Sequence, residues 1–448
     1  MTIIGCFKYH STIWLNKGIP LSISTIESSL ILHGIKVNRQ QFIHQLIQVF
    51  LVGCMIGLTR TVLPGLASTE FGLAQQQFVL LTTFVVVFGL VKASMNLFAG
   101  RLSDRFGRRP VLISGWLVAI PIPFLLYWAP NWYWIVAATV FLGLNQGLSW
   151  SMALNSKLDL AKTSQRGLVN GLNEFSGYAA VGIAGLVAAS LAVSLGAREA
   201  LFIMALGVLL VGLLLAVFYV EETKSWSDEH DKQAKILQGQ SVIPSQQHVR
   251  TFKALFAFAS YQSKPLMALN QAGLVEKFVD ALIWILLPIY LLAQDLSLVE
   301  ASAIITIYGV VWGGSQLITG PLSDKVGRKG LIVGGMWVCG LGSYALIHTN
   351  TVLGWSIEAA MIGIGMAMLY PTLGAAVADN SLAHERASLL GIYRFWRDFG
   401  YAIGALLMGL VAQYTGQIES AFVLVAISMM LSGLLVLVWL PNSKSTNN

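Results

Sequence analysis

Long apolar runs recur along this chain, and the short segments between them carry most of its charge. A helix that crosses a bilayer core needs ~20 mostly apolar residues. Runs of that kind fall near 42–66, 77–100, 110–129, 132–155, 168–195 and 199–220, then near 267–293, 301–320, 331–348, 352–377, 388–413 and 420–440. Of the 448 residues, 56% are hydrophobic and 11% charged, whereas a soluble domain covers its exterior with roughly 25% charged residues. Lipid must cover this chain instead. Hydrocarbon offers the backbone no hydrogen bonds, so each spanning segment has to satisfy its own peptide groups, as a helix does. The expectation is an all-α membrane protein with twelve transmembrane helices.

The runs divide into two sets of six. Residues 221–265 are rich in Lys, Gln, Ser and Asp and hold no long apolar run. The expected map is an N-terminal extension (1–40), a six-helix bundle (41–220), a linker (221–265), a second bundle (266–441) and a short tail (442–448). The extension is interrupted by Ser22, Ser24, Glu27 and Ser28 and makes a poor signal peptide. It reads as cytoplasmic, with an interfacial helix or an upstream start codon left open. Basic residues fall in alternate gaps: Arg101, Arg105, Arg108 and Arg109; Lys157, Lys162 and Arg166; six more in the linker; Lys325, Arg328 and Lys329; and Arg386. Of the other gaps, only that with Arg198 is clearly basic. Since basic loops stay inside, both termini and the linker are expected in the cytoplasm, with the chain in the plasma (inner) membrane.

The net charge of +7 does not imply nucleic acid, because the cations sit in these loops rather than along a basic face. Cys6, Cys54 and Cys339 are scattered, the histidines form no metal spacing, and no phosphate-binding G-x-x-x-x-G-K-[ST] loop is present. No enzyme, metal, cofactor or ATP-driven pump is expected.

Two loops repeat. Residues 100–112 read GRLSDRFGRRPVL, and 220 positions later residues 320–332 read GPLSDKVGRKGLI. Gly89 and Gly309, Arg166 and Arg386, and Gly171 and Gly391 recur at the same offset. Two related six-helix units follow. The loop resembles the G-x-L-[AS]-D-[RK]-x-G-R-[RK] motif of the major facilitator superfamily, over roughly residues 40–440. The resemblance implies two pseudo-symmetric six-helix bundles and a conformational latch between them, here Gly100, Asp104, Arg105, Gly107 and Arg108, with Asp324, Gly327 and Arg328 as the second copy. Gly100 and Gly320 are expected to let helix ends approach closely, Gly107 and Gly327 to make tight turns, and Asp104 to face a helix N-terminus or a nearby arginine. The first loop is expected to work as the latch and the second to be mainly a structural echo. The fourth span departs from the family, with Gly143 where many proton-coupled members carry an arginine. The fifth has Gly177, Gly182 and Gly185 without the proline of the antiporter signature.

A charge at mid-bilayer costs about 2.5–3.5 kcal/mol on insertion scales, so each one needs a role. The substrate- and proton-coupling candidates are Arg60, Asn145, Gln146, Asn170, Asn173, Glu174, Asn270, Gln271, Asp280, Tyr393, Arg394, Arg397 and Asp398. Arg394 and Asp398 are spaced to pair along one helix, as are Lys277 and Asp280. Asn170, Asn173 and Glu174 share a helical face, and Glu174 corresponds to Arg394 at the repeat offset. Arg60 lies toward the outer end, within snorkelling reach of it; Lys92 reads as a packing or latch charge and Glu358 as solvated. The expected function is secondary active transport of a small solute by alternating access, as proton-coupled efflux by a monomer. An anion-selective carrier of a carboxylate or phosphate compound and a non-transporting receptor on the same fold stand as alternatives.

Overall fold

The computed structural model describes residues 32–73, 77–162, 165–227, 250–382 and 385–441. Most of the expected extension, the middle of the linker and the tail lie outside the described residues. The long helices are α1 (Arg39–Thr69), α2 (Phe78–Phe106), α3 (Arg108–Tyr127), α4 (Trp132–Leu160), α5 (Arg166–Leu195) and α6 (Ala197–Phe218), then α7 (Lys264–Ala293), α8 (Leu298–Val326), α9 (Arg328–His348), α10 (Val352–Asp379), α11 (Arg386–Thr415) and α12 (Glu419–Trp439). They form two six-helix bundles. Eleven are apolar enough to span by composition. The twelfth, α7, falls short because Glu276, Lys277 and Asp280 stand in its middle, all three fully buried.

Several helices run past the apolar stretches. α2 and α8 continue through the repeated motif, and the chain reverses at one residue, Gly107 or Gly327, with φ of +96° and +90°. The apolar pattern stops where hydrocarbon stops; the helix continues into the headgroup layer, where polar residues suit it. The Glu222 carboxylate accepts the backbone N–H groups of Arg108 and Arg109 at 2.8 and 3.1 Å, which satisfies orphan donors at the start of α3. A Cβ on Gly107 would lie 2.3 Å from that carboxylate. Gly107→Ala is therefore expected to destabilise the protein by about 1–3 kcal/mol through backbone strain and the lost cap. Thermal denaturation in detergent checks it, and an unchanged melting temperature would mean that Glu222 moves aside at no cost.

Within each bundle, glycines bring backbones together. A Cβ on Gly53 or Gly57 of α1 would meet the Gly177 or Val181 carbonyl of α5 at 2.3 Å, and one on Gly400 of α11 would meet the Leu274 carbonyl of α7 at 2.0 Å. Without a hydrophobic drive between helices in lipid, such close packing supplies the association energy. Between the bundles, α2 packs on α11, α5 on α8 and α1 on α7. Gly89 abuts the Ala402 backbone, and Thr306 donates to the Gly182 carbonyl at 2.9 Å. α6 and α12 expose Leu210, Leu214, Leu431 and Val438, a surface that lipid tails cover. A five-residue π segment, Gln146–Trp150, interrupts α4, a type of bulge found frequently at functional sites.

Candidate functional site

The buried charges converge where the bundles meet. Arg60 of α1 pairs with Asp280 of α7 at 2.8 Å, with side-chain exposures of 2% and 0%. Arg60 does not snorkel: its partner lies inside, and its guanidinium stands over the Trp284 ring at 5.2 Å. The Asp280 carboxylate also accepts from the Tyr308 hydroxyl at 3.3 Å and from the Tyr401 hydroxyl. Lys277 lies 3.6 Å from Asp280 and 3.5 Å from Glu276. Its ammonium is ringed by Trp312 and Tyr370 at 4.8 Å, Tyr401 at 5.4 Å and Tyr178 at 5.9 Å. Cation–π attraction is strongest when desolvated, so the aromatic ring helps to hold a lysine that water does not reach. Tyr178 and Trp312 stack across the bundle interface with centroids 3.6 Å apart.

A second cluster joins α11 to α2. Asp398 accepts from Arg397 at 2.8 and 3.2 Å and from the Asn96 amide at 2.7 Å, and lies 3.8 Å from Lys92. The helical spacing of Arg394 and Asp398 does not become a bond. Asp398 turns to Arg397 and to α2, and among the described residues no carboxylate lies within ion-pair distance of Arg394. Lys92 is thus a core charge, set among the Phe88, Trp150 and Tyr401 rings at 5.5, 5.9 and 5.5 Å. Glu174 is buried, held by the Asn173 amide at 2.7 Å and the Trp150 indole N–H at 3.3 Å.

The other candidates divide by burial and by partner. Asn170 is exposed and does not join Asn173 and Glu174 inside. Asn145 donates to the Gly115 carbonyl at 3.0 Å, Gln146 to the Val52 carbonyl at 2.8 Å, Asn270 to the Ala259 carbonyl at 2.9 Å and Gln271 to the Ala268 carbonyl at 2.9 Å. These amides bond helix backbones. Tyr393 is buried against Gly273, with its hydroxyl unpartnered. Glu358 is half-buried and accepts from Thr349.

At the motif loop, Arg108 binds Asp104 at 3.0 Å, Asp159 at 3.1 Å and Ser103 at 2.8 Å. Asp104 meets an arginine, as expected, but all of these partners belong to the first bundle. Arg105 lies over the neighbouring Phe106 ring. Arg101 stands 4.7 Å over Phe252 of the short helix Phe252–Ala257, at the end of the expected linker. A Cβ on Gly100 would touch nothing within 4 Å, and one on Gly320 only Pro371 at 4.0 Å, so neither glycine is there for close approach. In the second loop Arg328 repeats the pattern, with Asp379 at 3.1 Å and Ser323. Asp379 stands at the repeat offset from Asp159, so the second loop keeps the first loop's arginine–aspartate lock. The Asp324 side chain lies outside the described residues.

Arg60 and Asp280 are separated by the repeat offset of 220. Equivalent residues of two pseudo-symmetric units that touch one another lie on the axis relating the units. Opposite charges at equivalent intramembrane positions therefore announce a pair at the centre. The aromatic residues Trp284, Tyr308, Trp312 and Tyr370 carry no such signal, because a tyrosine or tryptophan in a span reads as lipid-facing until its neighbours are known.

The sequence model described as Major Facilitator Superfamily matches residues 46–271 and 272–448. The "Proton-coupled antiporter flippase LtaA" of Staphylococcus aureus (strain MSSA476) is 24% identical over 395 residues, covering 86% of this chain and 91% of the relative. The protein of that name from Staphylococcus epidermidis (strain ATCC 12228 / FDA PCI 1200) is 25% identical over 340 residues, 74% of this chain and 78% of its own. Among solved structures, a D-xylose-proton symporter superposes with a TM-score of 0.67 at 17% identity, covering 91% of this chain and 99% of that one.

Proposed function

The chain belongs to the Major Facilitator Superfamily, and from that premise we propose that it is a proton-coupled exporter of a small solute in the plasma membrane, working by alternating access of its two bundles. The basic motif end is the cytoplasmic end in this reading. The observation that carries it is the Arg60–Asp280 pair, 2.8 Å long, buried, and made between equivalent residues of the two halves. An attraction on the axis holds the bundles together whichever side is closed. A proton on Asp280 cancels that attraction, frees Arg60 and lets the bundles rock; loss of the proton restores the lock. Proton occupancy and bundle position then bias one equilibrium, which is what coupling requires. The relatives named as proton-coupled antiporters support exchange of solute for proton. With Gly143 in the fourth span, the proton-binding role falls to the core carboxylates, with Asp280 first.

The test is reconstitution in liposomes with an imposed proton gradient and a panel of anionic, cationic and neutral amphiphiles. At least one solute is expected to accumulate against its gradient, and a protonophore is expected to abolish that accumulation. Accumulation that survives the protonophore would remove the proton from the mechanism.

A further inference from the structure

We propose that the solute is an organic anion, and that its phosphate or carboxylate group is bound by Arg394 at the cytoplasmic side of the charged core. The proposal rests on the transporter reading above and adds the substrate class to it.

The charge inventory is the first support. Arg60 and Lys277 share Asp280 and Glu276. Lys92 and Arg397 share Asp398. Arg394 is left with no carboxylate among the described residues. A guanidinium set within the membrane and serving no ion pair is expensive, and a structural role would have paired it.

Position is the second support. Arg394 is the ninth residue of α11 and Glu174 the ninth of α5, so both stand about 12 Å along their helices from the cytoplasmic end. They are equivalent residues in the two halves, of opposite charge, and form no ion pair with each other. Asn173 and Trp150 bond one oxygen of Glu174 and hold it to the first bundle, while its other oxygen has no partner. Arg60 and Asp280 close the axis with an ion pair, whereas Glu174 and Arg394 form none. Arg394 is also partly exposed, whereas Arg60, Lys277 and Lys92 are buried.

The surroundings select the sign. A cationic solute beside Arg394 would meet Arg397 and Lys92 as well, with Asp398 the carboxylate shared between them. An anion is attracted by all three and repelled by Asp398 and by Glu174 of the other half, and the cations outnumber the carboxylates three to two. Tyr370, which lies 4.8 Å below Arg397, offers an aromatic surface to the organic part of the solute.

The experiment measures binding without a proton gradient, so its outcome is independent of whether Asp280 couples protons. Two arms separate a free solute from a lipid headgroup. In one, butyl phosphate is titrated into the protein in neutral detergent; in the other, phosphatidic acid is added to the protein in phosphatidylcholine nanodiscs. Intrinsic tryptophan fluorescence reports both, with butyltrimethylammonium as the cationic control. Saturable binding is expected in at least one arm, weakened at least tenfold in Arg394→Gln and within threefold of wild type in Arg394→Lys. Ligand-free Arg394→Gln is expected to melt at or above the wild-type temperature, since no ion pair is lost. No saturation in either arm, binding indifferent to Arg394→Gln, tighter binding of the cation, or a clearly lower melting temperature for ligand-free Arg394→Gln would each overturn the proposal.

Discussion

Asp280→Asn is expected to abolish gradient-driven accumulation of solute while leaving solute-for-solute exchange measurable. Asparagine keeps the shape of the side chain and part of its hydrogen bonding to Tyr308 and Tyr401, but it cannot carry a titratable proton. The axial attraction to Arg60 is then absent at every pH, so the bundles rock whether or not a proton is present. Transport becomes uncoupled, and the accumulation ratio falls to one. There is a cost in stability as well: leaving one member of a buried pair without its partner typically costs about 3–5 kcal/mol. Arg60 is 2% exposed and its Nε already lacks a partner. The double variant Arg60→Gln with Asp280→Asn is expected to recover part of that stability and none of the coupling. Counterflow and gradient-driven uptake in the same proteoliposomes separate the two effects. If Asp280→Asn still accumulates solute against its gradient, the coupling carboxylate is Asp398 or Glu174, and Arg60–Asp280 is a static tie.

How much of this was visible in the sequence depends on whether a feature is local or tertiary. The helices were legible because a bilayer imposes a length and a composition on each of them. Even α7, which carries Glu276, Lys277 and Asp280 at its centre, could be recognised from the long apolar runs on either side. Their ends were less legible, since α2 and α8 leave hydrocarbon before they leave the helix, and only Gly107 and Gly327 stop them. Within one helix, the sequence shows charge pairs through three- and four-residue spacing. That rule holds for Lys277 and Asp280, which lie 3.6 Å apart, and fails for Arg394 and Asp398. The failure has a physical reason. A side chain at a helix–helix interface chooses among partners on several helices, and Asp398 finds Lys92 and Asn96 on α2, far away in sequence. The amides Asn145, Gln146, Asn270 and Gln271 show the same limit, because a polar residue in a span is equally suited to a solute and to a neighbouring carbonyl.

Asp398→Asn is expected to be the most destabilising single change in the core. The carboxylate is fully buried and serves Arg397, Lys92 and Asn96 together. Removing its charge leaves Lys92, Arg394 and Arg397 on two adjoining helices without a carboxylate between them. Each broken buried pair typically costs about 3–5 kcal/mol, a large share of the ~5–15 kcal/mol that holds a typical domain folded. The partners are not equivalent, and the order of rescue follows from geometry. Arg397 makes two hydrogen bonds to Asp398, at 2.8 and 3.2 Å, whereas Lys92 stands 3.8 Å away among aromatic rings that also accept its charge. Arg397→Gln in the Asp398→Asn background is therefore expected to restore more of the melting temperature than Lys92→Met does. Thermal denaturation of the single variant and the two double variants decides it. Equal rescue by both would mean that Asp398 acts as a diffuse charge balance for the core. Stronger rescue by Lys92→Met would mean that its main task is to tie α11 to α2, and so one bundle to the other.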